Sequence, residues 1–286
     1  MPRLLAVGHV TWDRREGSDV LGGSVAYASL AARALGWDAA VLTSAGPDFD
    51  PLRDLPEVEV FVHPAPATTR FQNRYDAAGE RRQVLSSRAA DIELLPLPDA
   101  WRDPDVLLLG PVAGEIGPGL AVSFGAEVVG ALAQGWLRQV DSQGNVSPRE
   151  WASPAADLLG VHVLFLSEQD LGSGAAPASS LLACVPIVAF TRGWEGLTLF
   201  TRNSVHDVPS LPREEVDPTG AGDVFAAAFL VRYHEAHDPL EAAAFGACAA
   251  SCVVEGVGAS TLGDRSEVLR RLALRERLIE EGEWDE

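Results

Sequence analysis

The chain has 286 residues, 47% of them hydrophobic, enough to bury a full core as one large domain. Its formal net charge of −19 argues against nucleic acid or an anionic membrane surface as a partner. All 22 residues of the Lys+Arg count are arginine, which excludes a P-loop and a protein-kinase site, because both place a lysine beside the phosphates.

In chain order, residues 4–10 are predicted as a first strand, and the opening Met-Pro-Arg-Leu-Leu-Ala-Val-Gly reads as that strand and not as a signal peptide. Asp13 follows it, at the end of a strand where α/β folds place ligands; the alternative is a loop or cap aspartate. The pair Gly22-Gly23 suits a turn or a hinge, and residues 24–35 read as a small-residue helix ending at Gly36. Residues 39–43 give a second strand. Residues 68–75 and 81–85, joined by Asp-Ala-Ala-Gly at 76–79, read as a polar β-hairpin that is either plain surface or a cover for a ligand.

Beyond it, strands at 106–109 and 137–140 are predicted to flank a helix at 126–133. Strands at 161–166 and 187–191 flank a second at 178–182, and 197–200 with 205–208 read as a closing antiparallel hairpin. Helices follow at about 221–234, 239–254 and 264–280, and the acidic tail 280–286 reads as frayed. No apolar run reaches the length that crosses a bilayer. Cys184, Cys248 and Cys252 offer no disulfide framework, and the last two lie four apart in a helical pattern as reduced thiols, so the chain reads as cytoplasmic. The six histidines form no metal-ligand spacing.

The strongest chemical signal is Asp217-Pro-Thr-Gly-Ala-Gly-Asp223 before an apolar helical run. Gly220, Ala221 and Gly222 leave the backbone bare, so its amides and the helix dipole can meet an anion. Asp223 stands beside them, either as a helix cap or as a proton acceptor for an attacking hydroxyl. The string closely resembles the C-terminal signature of the PfkB, or ribokinase-like, carbohydrate kinases. That resemblance implies a ribokinase-like α/β fold over residues 1–286, a central and mostly parallel sheet flanked by helices, with an inserted β-sheet lid at 65–87. It makes Asp223 the catalytic base and Gly220, Ala221 and Gly222 the anion hole.

The same resemblance places Asp13, Gly22, Gly23, Tyr27 and Arg70 of the lid at the acceptor. Tyr27 stands where the family usually has asparagine, and a core aromatic is the other reading of it. Thr191, Arg192, Gly193 and Gly196 resemble the element along the nucleotide phosphates, with Arg192 as a clamp; a two-glycine hairpin turn is the bland alternative. Ser167 and Asp170 replace the family's Asn and Glu, keeping oxygen ligands for a water-bridged Mg²⁺, although Asp170 also suits a cap. Thr219 belongs to the nucleotide side, and Asp217 resembles a monovalent-cation position of some members.

The implied reaction is transfer of the ATP γ-phosphoryl group to a hydroxyl of a small sugar or polyol, inositol-like or another carbohydrate, with Mg²⁺. A nucleoside kinase of the same fold, or a catalytically silent sugar- or nucleotide-binding homologue, are the alternatives. Lids in this family often pair, so a homodimer through the lid is also implied.

Overall fold

The computed structural model describes residues 1–15, 18–75, 81–94, 96–171 and 178–281. Arg3–Val7, apolar from Leu4 onward, forms β1, which sends Leu4 and Ala6 into one core and Leu5 and Val7 into another. A strand buried on both faces has no polar side to offer, which is why its sequence is continuously apolar. Thr11–Arg15 (β2) and Ser18–Gly22 (β3) come next, then helix Ser24–Ala34 (α1) and strand Asp38–Ala45 (β4). The short helix Pro51–Asp54 (α2) leads to Glu59–Pro64 (β5), Thr69–Tyr75 (β6) and Arg81–Ser87 (β7).

A one-turn helix Asp99–Arg102 (α3) precedes Val106–Leu109 (β8), Val128–Leu132 (β9), and the small strands Arg138–Val140 (β10) and Val146–Pro148 (β11). Pro154–Asp157 (α4), Val163–Ser167 (β12), Ile187–Thr191 (β13), Leu197–Thr201 (β14) and Val205–Val208 (β15) follow. The chain then closes with Ala221–Ala236 (α5), Pro239–Val253 (α6) and Arg265–Glu281 (α7).

The main sheet runs β15-β14-β13-β12-β9-β8-β1-β4-β5. The strands from β13 to β5 pair in parallel, and β14 and β15 close one edge antiparallel. Parallel strands end at one edge of the sheet, and the loops after β1, β8, β9, β12 and β13 therefore gather there. The long helices α1, α5 and α6 cover one face; α5 is buried at every position from Val224 to Val231. It crosses β9 closely enough that a Cβ on Gly130 would lie 2.5 Å from Leu230, and Phe225 and Phe229 pack edge-on to Phe165. The other face has no long helix among the described residues; one-turn helices and loops bring Trp101, Trp136 and Val185 onto it. No described helix is long and apolar enough to cross a membrane.

Four segments depart from the reading of the sequence. Residues 126–133 hold strand β9, not a helix: a short apolar run fits either structure, and Val128-Val129 with Gly130 lets it lie as a central strand against α5. Residues 137–140 leave the main sheet, and β10 pairs antiparallel with β11 as a separate ribbon. Residues 178–183 form a 3₁₀ helix. The first predicted strand also breaks after Val7, and the chain turns into a second sheet of order β3-β2-β6-β7. This small sheet mixes parallel pairing of β2 with β6 and antiparallel pairing of β2 with β3 and of β6 with β7. The hairpin at 69–87 is therefore half of a sheet whose other half comes from residues 11–22. The turn at 76–79 and the tail beyond 281 lie outside the described residues.

Candidate active site

The base of the small sheet is fastened by a buried polar knot. The carbonyl of Ala90 can only accept, so His9 Nε2 carries the proton and donates to it over 2.7 Å. His9 Nδ1 then accepts from the Thr69 hydroxyl at 2.8 Å, and Thr69 Oγ1 in turn accepts from the Ala89 N–H at 2.9 Å. Glu115, fully buried, accepts from the backbone N–H groups of His9 (2.9 Å), Val112 (3.0 Å) and Ala113 (2.7 Å). A carboxylate can afford burial when several amides satisfy it, and here it ties the loops after β1 and β8 together.

Between this base, the ends of β9, β12 and β13, and the start of α5 lies a cavity of about 350 Å³. Gly220 shapes its floor. It adopts φ +83°, a left-handed conformation open to glycine, and a Cβ there would lie 2.3 Å from the Tyr27 ring. Ala221 N–H donates to the Pro218 carbonyl (3.2 Å) and Val224 N–H to that of Gly220 (2.9 Å). The first-turn amides between them, of Gly222 and Asp223, have no acceptor within the helix by its geometry, so this is where an anion would dock. Gly23 does similar work opposite: at φ +91°, with a Cβ that would strike the His9 carbonyl, it starts α1 and brings Ser24 to Asp223.

Asp223 is half-buried at the cavity wall, and its carboxyl is pushed up to about 6. Enclosure by protein is the largest cause; the Asp170 and Asp13 carboxylates add to it, while the Ser24 hydroxyl and the Arg138 guanidinium oppose it. Asp13 accepts from the Thr11 hydroxyl at 3.1 Å, and a Cβ on Gly22 would lie 2.5 Å from its carboxylate. Across the cavity, one oxygen of Asp170 accepts from both the N–H (2.7 Å) and the hydroxyl (2.8 Å) of Ser167.

The cavity brings together most of the residues singled out from the sequence: Asp13, Gly23, Tyr27, Ser167, Asp170, Thr191, Gly193 and the run from Thr219 to Asp223. Tyr27 is a buried ring of the core that also lines the cavity. Gly22 and Gly196 stand behind the lining. Arg192 is outside it: its guanidinium bonds Thr198 and pairs with Asp207 (3.3 Å) and Glu195 (3.6 Å). Arg70 is likewise outside, paired with Asp19 and with Asp48 (3.1 Å) on the small sheet. Asp217 also lies off the cavity and accepts from the N–H groups of Thr219 (3.0 Å) and Gly258 (3.2 Å), which pins the turn before α5.

Six polar side chains of the lining are not singled out by the sequence: Thr11, Ser24, Gln83, Gln134, Gln169 and Arg138. The reading of 137–140 as a main-sheet strand hid Arg138, and single glutamines carry no pattern. Arg138 donates to the Val112 carbonyl (3.4 Å) and lies 5.8 Å from the centre of the Phe71 ring.

Comparison with known proteins fits this geometry. Residues 124–265 match the family described as pfkB family carbohydrate kinase. The chain thus carries a PfkB region within a ribokinase-like fold, as the signature at 217–223 implied. It is similar to the structure of a pyrophosphate-dependent kinase in the ribokinase family, complexed with a pyrophosphate analog and myo-inositol: TM-score 0.77, 20% identity, covering 93% of this chain and 99% of that one. Arabidopsis thaliana ribokinase, complexed with ribose and ATP, aligns with TM-score 0.72 and 21% identity over 95% and 98% of the two chains. In sequence, a nucleoside kinase of Methanothermobacter thermautotrophicus is 36% identical over 86 residues, 30% of this chain and 28% of that protein. The match spans less than a third of the curated relatives' length.

Proposed function

We propose that the protein transfers the terminal phosphoryl group of ATP to a hydroxyl of a small sugar or polyol, an inositol-like acceptor among them. The observation that supports this reading is the shared cavity: Asp223, Asp13 and the bare first turn of α5 all face one space of about 350 Å³. Asp13 accepts hydrogen bonds from acceptor hydroxyls and orients one toward Asp223. As that oxygen forms its bond to the γ-phosphorus, its proton passes to the Asp223 carboxylate, and the bond from phosphorus to the β–γ bridging oxygen breaks, releasing ADP. The amides of Gly222 and Asp223 stabilise charge on the migrating phosphoryl oxygens.

The small sheet serves as the lid. Phe71 and Gln83 reach the cavity from it, and exclusion of water favours transfer over hydrolysis. The donor set suits Mg²⁺, since Asp170 and Ser167 offer hard oxygens. The two bonds from Ser167 to one Asp170 oxygen orient the carboxylate, and in this proposal Asp170 would hold the ion through water. When bound, Mg²⁺ would neutralise donor phosphate charge. Arg192 and Asp217, engaged as they are with Asp207 and with backbone amides, act in this proposal as supports of their loops. A nucleoside acceptor is the second reading: the Tyr27 and Phe71 rings both line the cavity and offer flat apolar faces for a base.

A screen of sugars, inositols and nucleosides, with ATP or pyrophosphate as donor and acceptor phosphorylation as readout, tests the proposal. Turnover of a polyol with ATP is expected; turnover of none with either donor would remove the kinase reading.

A further inference from the structure

A second cavity of about 290 Å³ adjoins the first, and five residues line both: Gln83, Gln134, Arg138, Gln169 and Asp170. Arg138 thus stands at the junction. It is the single basic side chain of either lining among the described residues. The main cavity also holds three carboxylates, Asp13, Asp170 and Asp223, so a ligand bearing two or more negative charges would meet strong repulsion. Arg192, Arg70 and Arg88 lie outside both linings. There is no lysine in the chain to take their place.

The backbone that presents Arg138 is firmly held. Trp136 is buried, stacks on Trp151 with ring centres 5.5 Å apart, and donates from its indole to the Ile116 carbonyl (3.1 Å). Arg149 bonds back to the carbonyls of Trp136 (2.7 Å) and Leu137 (2.8 Å). At the far end of the ribbon, the carbonyl of Gly144 accepts from Leu85 N–H on β7 (2.8 Å). The backbone thereby places Arg138 between the ends of the main-sheet strands and the small sheet, where three amides of the same lining can donate to the same oxygens.

We infer that Arg138, with Gln83, Gln134 and Gln169, holds a phosphate group at the junction of the two cavities. The inference rests on the phosphotransferase reading for its setting, but phosphate recognition can be measured without turnover. The shared chemistry has two sources, the phosphate chain of the donor or a phosphate ester carried by the acceptor.

Calorimetry with inorganic phosphate and with pyrophosphate, on the wild type, Arg138→Gln and Arg138→Lys, tests it. Affinity for at least one probe is expected to fall about tenfold or more in Arg138→Gln, with partial recovery in Arg138→Lys, which keeps charge and loses the fork. Unchanged affinity in both variants, or no binding of either probe to the wild type, overturns the inference. Melting temperature separates loss of the site from loss of the fold, and Arg138→Lys still decides the question if the glutamine variant does not fold. Steady-state kinetics on an acceptor from the screen then separates the sources: a raised KM for the donor assigns the donor phosphate, and a raised KM confined to phosphorylated acceptors assigns the ester. Probe binding that depends on Arg138 in a protein with no turnover would retain the phosphate site and reject the kinase reading.

Discussion

The two walls of the cavity are built by different means. The α5 wall is made of backbone: a left-handed glycine, a first helical turn with open amides, and a helix buried along eight successive residues. The wall formed by the small sheet and the ribbon is made of side chains brought from residues 11–22, 69–87 and 138–148, and fixed by the knot of His9, Thr69 and Ala89. A wall of backbone tolerates almost no change at a few positions. A wall of side chains spreads its tolerance over more positions.

The largest test of this contrast is Asp223→Asn. Loss of the base should cut kcat by about 10²–10⁴-fold with ligand binding retained, as measured by steady-state kinetics beside calorimetry. The wild-type rate should also rise with pH through about 6 and then level, because the base must be ionised, and this limb should vanish in the variant. Full activity in Asp223→Asn would remove the base from the α5 wall.

Next, Gly220→Ala should destabilise the protein by ~2–5 kcal/mol, from the left-handed φ and from collision with Tyr27. Pairing it with Tyr27→Leu in a double-mutant cycle should return the collision part and leave the backbone part. Urea unfolding reads both; full additivity would show that the tyrosine does not set the glycine.

Asp223→Asn should also change stability, with a sign that depends on pH. The folded carboxyl titrates near 6 and the unfolded one near 3.8, so folding favours the protonated form. That contribution is complete below about pH 4 and is lost as pH rises through about 6. At pH 8 the buried charge costs up to ~3 kcal/mol, which asparagine would not incur. The melting temperature of the variant should therefore exceed the wild type's at pH 8 and approach it at pH 4.5; a gap independent of pH would contradict the enclosure of Asp223.

The smallest effect is expected on the side-chain wall. Thr69→Val keeps shape but leaves His9 Nδ1 and the Ala89 N–H without their partner, at ~1–3 kcal/mol. Acceptor KM should rise more than kcat falls. The reverse split would mean that the knot acts on the chemical step and not on the small sheet.

The same division explains what could be read from the sequence. The α5 wall was legible at 217–223 because backbone geometry demands particular residues in consecutive order. Helices α1, α5, α6 and α7 were equally legible from their small-residue or amphipathic patterns and their punctuation. The other wall was legible only in its hairpin. Residues 11–22 were missed as its second half because β2 pairs with a strand some 60 residues away, and no local pattern records that partner. Arg192 stood in the expected position, yet Asp207 and Thr198, on neighbouring strands, hold its head outside the lining. Arg138 is not legible because its place at the cavity depends on a ribbon outside the main sheet, and β9 is not because a run such as Val-Val-Gly-Ala-Leu suits helix and strand alike.

The stacked pair of Trp136 and Trp151 gives the molecule an optical consequence. Two indoles at 5.5 Å and 21° couple electronically, and one of them lies two residues from the guanidinium at the cavity junction. Occupancy of that junction would alter the near-ultraviolet circular dichroism and emission of the pair. The ribbon therefore equips the native chain with an intrinsic spectroscopic gauge, readable without label or coupled assay.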